Sequence, residues 1–159
     1  MLFLHGSGDA VDSSRLALRR SFSEAPAMRA AYQEGMRSAG LLHLPVAEEA
    51  TGGGGGAPDC PAAAALPSDG IALFDIYSCF PIAVEMACKY LGIDPATTDV
   101  NRLTATGGLA YHGGPGSNYS CHGLVALAEK LRRDEYRGKK GMVCANGGIL
   151  TEHSVGIYR

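Results

Sequence analysis

Short apolar runs alternate with segments of helical periodicity along most of the chain, and this alternation restricts the fold more than any other feature. "LFLH" at residues 2–5 reads as a strand that ends at "GSGD". "SEAPAMRAAYQEGMRSAG" reads as a helix: Ser23 or Glu24 leads in, Pro26 suits the first turn and Gly40 the stop. "GIALFDIYS" has the character of a buried strand. "PIAVEMACKYLGI" is a helix opened by Pro81 and closed at Gly92, and "RLTATGG" is a strand running into a glycine loop. "NYSCHGLVALAEKLRRDEY" places Leu124, Leu127, Ala128 and Leu131 on one helix face, and "GMVCANGG" and "SVGIY" are closing strands. The predicted order, β-α-β-α-β-α-β-β, specifies an α/β layered sheet, mixed because its last two strands are adjacent.

One segment breaks the pattern. Residues 46–69, "VAEEATGGGGGAPDCPAAAALPSD", combine five consecutive glycines with a proline-flanked alanine run. Such a composition buries too little to order itself, so it reads as an exposed, flexible insertion in a single domain spanning 1–159. The glycine run lacks the Lys-Ser/Thr and helix that follow a phosphate-binding loop.

Composition narrows the classes. Charged residues are 19% of the 159 and the net charge is −2, so there is no basic footprint for nucleic acid. The apolar run "CPAAAALP" is too short and too proline-rich for a membrane span, and "MLFLHGSGDA" is too short in apolar residues for a secretory signal. Five cysteines without a CxxC pair argue against a disulfide framework and against a metal site, and for an intracellular, reducing compartment. Cytoplasm, mitochondrion and peroxisome are not distinguished.

Three loops follow strands in this layout: "DIYSCFP", "GGLAYHGGPGSN" and "CANGGILTEHS". Ligands collect at the carboxyl ends of strands in open α/β sheets. Gly107, Gly108, Gly113 and Gly114 allow close approach of backbone to a bound group. A helix entered at Asn118 points free N–H groups at that spot, where an anion or a developing oxyanion can sit. His112 and His122 can polarise a carbonyl or move a proton, and Cys144 can act as acid or base where its surroundings are electropositive. A glycine loop that only turns the chain is the competing reading.

"DIYSCFPIAVEMACKYLGI", "LTATGGLAYHGGPGSNYSCHGLVALAEKLR" and "GMVCANGGILTEHSVGIY", in that order, resemble the C-terminal half of a thiolase, nearest the sterol-carrier-type thiolases. "FLHGSGDA" and "SEAPAMRAAYQEGMRSAGL" match the preceding strand and helix. The resemblance implies a five-stranded mixed sheet covered by helices, and chemistry of the acetyl-CoA acetyltransferase type on an acyl-CoA, through an acyl-cysteine intermediate. The CoA thioester is then the substrate, and no bound cofactor is expected. In the family the nucleophile lies in the N-terminal half, so none of the five cysteines here takes that role. The implied partners are an N-terminal thiolase half or a separate subunit, and a homo-oligomer when complete.

Each loop departs from the family pattern. Tyr77 stands where the family carries an asparagine or histidine that binds the thioester oxygen. Gly114 stands at the histidine of Gly-His-Pro, with His112 and His122 as nearby substitutes. Cys144 matches the acid/base cysteine of Cys-x-Gly, but Asn146 replaces its glycine. Three functions stay open: part of an acyltransferase, a non-catalytic acyl-CoA or lipid-binding module, or a structural partner of a catalytic subunit.

Overall fold

The computed structural model describes residues 1–12, 24–42 and 65–159. Among these residues a four-stranded mixed sheet forms from β1 (Leu4–Val11), β2 (Leu73–Asp75), β3 (Gly141–Gly147) and β4 (Glu152–Tyr158), in the order β1-β4-β3-β2. β2 and β3 are parallel, whereas β4 is antiparallel to both β3 and β1. Helices α1 (Pro26–Ser38) and α2 (Pro81–Leu91) share one core with Phe74, Met142, Cys144, Val155 and Ile157 of the sheet. The long helix α5 (Tyr119–Leu131) lies on the other face, where Leu127 and Leu131 meet Leu73 and Val143. Strand alternation produces this division, because neighbouring residues of β3 point to opposite faces. Two single-turn helices, α3 (Val100–Leu103) and α4 (Leu109–His112), lie between α2 and α5.

The helix stops follow from the sequence. Pro26 and Pro81 sit in the first turns of α1 and α2. Gly40 and Gly92 take left-handed conformations just beyond the last turns, where Leu41 N–H donates to Met36 O and Ile93 N–H to Cys88 O. The N-cap of α1 is Ala25, which supplies no side-chain cap; of the two residues expected to lead in, Ser23 lies outside the described residues and Glu24 is not the N-cap.

β1 does not end at its glycines but runs through them. A Cβ on Gly8 would stand 2.2 Å from Ala31 O, and one on Gly6 would stand 2.5 Å from Ala39 N. These glycines therefore admit α1 against the sheet rather than turn the chain. α1 also guards the open edge: the Ser38 hydroxyl accepts from Ser7 N–H and lies 3.0 Å from Ser7 O. A sheet edge with its polar groups occupied is a poor template for another strand.

The expected fifth strand, "RLTATGG", is absent among the described residues. Val100–Leu103 is a helical turn, and Leu103 O accepts one bond from Ile76 N–H. The backbone N–H groups of Ala105 and Thr106 then turn to the Asp75 carboxylate, at 2.9 and 3.1 Å, instead of to a neighbouring strand. A buried carboxylate outcompetes a sheet ladder here because charge-assisted bonds are the stronger ones.

Most of the expected insertion, residues 46–64, lies outside the described residues. Its C-terminal end does not behave as an insertion. Leu66 and Ser68 are buried, and Leu66 N–H donates to Tyr90 O at 2.8 Å.

Candidate functional site

Asp75, at the carboxyl end of β2, organises the site from beneath. It has no exposed surface, and its Oδ1 accepts from the Thr104 hydroxyl, Ala105 N–H, Thr106 N–H and the Thr106 hydroxyl, at 2.9–3.1 Å. Both hydroxyls also hold the glycine loop: Gly107 N–H donates to Thr104 Oγ1 and Gly108 N–H to Thr106 Oγ1. Lys130 Nζ donates to Thr104 O from α5. The Tyr119 phenol lies 2.5 Å from Thr106 Oγ1, and either hydroxyl can be the donor. Tyr119 is thereby fixed at the start of α5 against the loop that Asp75 holds. Burial raises its pKa, opposed by the Thr106 hydrogen bond and assisted by the Asp75 charge.

The Tyr119 ring is where two of the three loops meet. Tyr77 packs edge-on against it with centroids 5.2 Å apart, and His112 does the same at 5.8 Å. Ser78 joins the same two loops, accepting from Leu109 N–H at 3.0 Å. The third loop is tied to the first by Asn146 Nδ2, which donates to Tyr77 O at 3.5 Å. His153 keeps that loop folded, its ring nitrogens lying 2.8 Å from Asn146 Oδ1 and 3.0 Å from Leu150 O.

His112 and His122 come together: His112 Nε2 lies 3.0 Å from His122 Nδ1, and Asn118 Nδ2 lies 3.2 Å from His122 Nε2. They line an open groove of about 470 Å³ along α5, with Cys121, Val125 and Glu129. The last three were not singled out from sequence. Their signal was the helical spacing from Asn118, which sets residues 118, 121, 122, 125 and 129 on one stripe.

The glycines divide. Gly107 and Gly108 adopt positive φ, and a Cβ on Gly108 would stand 3.1 Å from Ser78 Oγ, one on Gly107 3.6 Å from Tyr111 Cβ. A Cβ on Gly113 would meet nothing within 4 Å and one on Gly114 only the edge of Leu109, so this pair is an exposed turn and makes no close approach.

Cys144 stands apart from the groove. Its side chain is 1% exposed in the core shared with α1 and α2, on the face opposite α5. Burial pushes its thiol up to about 12, against a smaller lowering by a hydrogen bond with Tyr32. A thiol so placed stays protonated at neutral pH, so the electropositive setting that acid/base work requires is missing. Among the described residues no group of three or more His, Cys, Asp or Glu could hold a metal ion, and no helix is long and apolar enough to cross a membrane.

A four-stranded mixed sheet with α1 and α2 on one face and α5 on the other is the arrangement of a thiolase-like fold, as a structural match shows. A solved structure of this kind matches the chain: a monomeric SCP2-thiolase-like protein type 1 from Mycobacterium smegmatis, with 33% sequence identity and a TM-score of 0.74. The match covers 99% of this chain but only 28% of that one, so the chain spans well under a third of its neighbour's length. The neighbour is monomeric and lends no support to the expected homo-oligomer. No protein-family model and no curated protein matches the chain.

Proposed function

We propose that this domain supplies the CoA-thioester-binding loops of a thiolase-type acyltransferase. The acyl-accepting cysteine would come from a second thiolase half or subunit. The observation that carries this reading is the packing of Tyr77 and His112 against the Tyr119 ring, with His112 also lining the α5 groove. Tyr77 occupies the place of the thioester-binding residue in the resembled family, and the His112–His122 pair lies near the place of the lost Gly-His-Pro histidine. A carbonyl oxygen in the groove beside His112 would meet an imidazole packed against Tyr119, an arrangement that can stabilise developing negative charge.

A second reading has its own support. With Cys144 buried on the opposite face and Gly114 at the histidine position, the domain would bind an acyl-CoA or lipid without forming or breaking a carbon–carbon bond. Calorimetry with acetoacetyl-CoA, paired with a thiolysis assay, separates the two. Binding that weakens about tenfold in His112→Ala, the equivalent of one hydrogen bond, supports the site. Thiolysis by the domain once supplied with a nucleophile-bearing half selects the acyltransferase reading. Absence of binding rejects both.

A further inference from the structure

The groove contains a hydrogen-bonded chain, Asn118–His122–His112, whose polarity is settled by its first member. The Asn118 amide nitrogen can only donate, and it lies 3.2 Å from His122 Nε2. His122 Nε2 must then be the bare, accepting nitrogen, and a neutral His122 carries its proton on Nδ1. That Nδ1–H points at His112 Nε2, 3.0 Å away, so His112 Nε2 must also accept. The only place left for the proton of His112 is Nδ1.

We infer that Asn118 is a positioning residue that acts through His122 to make His112 a hydrogen-bond donor at its Nδ1, not a base. The site would therefore select a ligand by an acceptor atom, a carbonyl or thioester oxygen, and discriminate against an ammonium or hydroxyl proton presented at the same point. That ligand preference rests on the function proposed above; the tautomers do not. The geometry also makes the chain reversible. A carboxylate at position 118 can only accept, so it would demand Nε2–H on His122. The freed His122 Nδ1 would then demand Nε2–H on His112, turning its Nδ1 into a lone pair. One substitution at the far end would invert the chemistry at the near end.

The experiment is long-range proton–nitrogen correlation spectroscopy of the imidazoles in the full chain without ligand, at about pH 8.5, above the ordinary imidazole range. The expected spectrum has both His112 and His122 protonated on Nδ1, and Asn118→Asp moves both protons to Nε2. His122 protonated on Nε2 in the native chain overturns the inference, as does Asn118→Asp with the His112 proton still on Nδ1. Should Asn118→Asp fail to fold, Asn118→Leu serves instead. Loss of the donor should leave both tautomers of His122 populated, and an unchanged His122 would contradict the relay. Because no ligand is present, a failure here is distinct from a failure to bind CoA thioesters.

Discussion

A Cβ placed on Gly123 would stand 2.3 Å from Oδ2 of Asp75. That oxygen is buried and has no hydrogen-bond partner among the described residues, while Oδ1 of the same carboxylate takes four. α5 thus approaches the sheet closely enough to seal the carboxylate in, and only a glycine at this turn permits it. Helix propensity alone would have Gly123→Ala stabilise the domain by about 1 kcal/mol. The contact reverses the sign: urea unfolding should show a loss of about 1–3 kcal/mol, as for other overpacked sites. A stabilised variant would mean that α5 sits farther from β2 than described.

Thr106 relays the order imposed by Asp75 to Tyr119, the ring against which Tyr77 and His112 pack. Thr106→Val keeps the shape but removes the hydroxyl that pairs with the Tyr119 phenol and accepts from Gly108 N–H. The expected cost is about 1–3 kcal/mol, since two buried groups lose their partner. Amide exchange should quicken at Gly108 and Leu109 while α2 and β3 keep their protection. Uniform quickening throughout would indicate global destabilisation rather than a loosened loop.

Cys144 gives the domain a signature at alkaline pH. Its folded pKa, about 12, is raised by burial above the ordinary thiol value of 9.0. The folded chain therefore holds a proton that the unfolded chain releases, and the contribution to stability is complete below about pH 9 and lost as pH rises toward 12. Tyr32, also raised by burial, acts in the same direction. Denaturation midpoints should fall above pH 9, less steeply in Cys144→Ala than in the native chain. Identical slopes would remove Cys144 from the core.

The Ser38 hydroxyl accepts from Ser7 N–H on the β1 edge and shares its proton between Ser7 O and Gly35 O, both at 3.0 Å. Ser38→Ala should cost about 1 kcal/mol and raise self-association, measured by sedimentation at increasing concentration. A variant that stays as monodisperse as the native chain would show that the edge is protected by something else.

Much of this architecture is written locally. Pro26 and Pro81 open their helices, Gly40 and Gly92 close them, and the apolar spacing of α5 identifies its buried face, all through interactions within a few residues. What could not be read depends on distant partners. The threonine-rich segment before Gly107 has strand character, yet it is drawn off the sheet by Asp75, about thirty residues earlier in the chain. The glycines of "HGSGDA" look like a turn until α1 is seen against them. Cys144 resembles an acid/base residue by motif, but strand alternation directs it to the face away from α5. The pairing of His112 with His122 was within reach only as proximity in sequence. Asn118, four residues before His122, becomes its partner through one turn of α5.

The most direct test of the central claim is to map acetoacetyl-CoA onto the assigned backbone and side-chain NMR spectrum of the chain. Shifts should concentrate at Tyr77, Gly108, His112, Asn118 and His122, with Cys144 and α1 unmoved. Shifts confined to the α1 face, or a spectrum unchanged at saturating ligand, would contradict it.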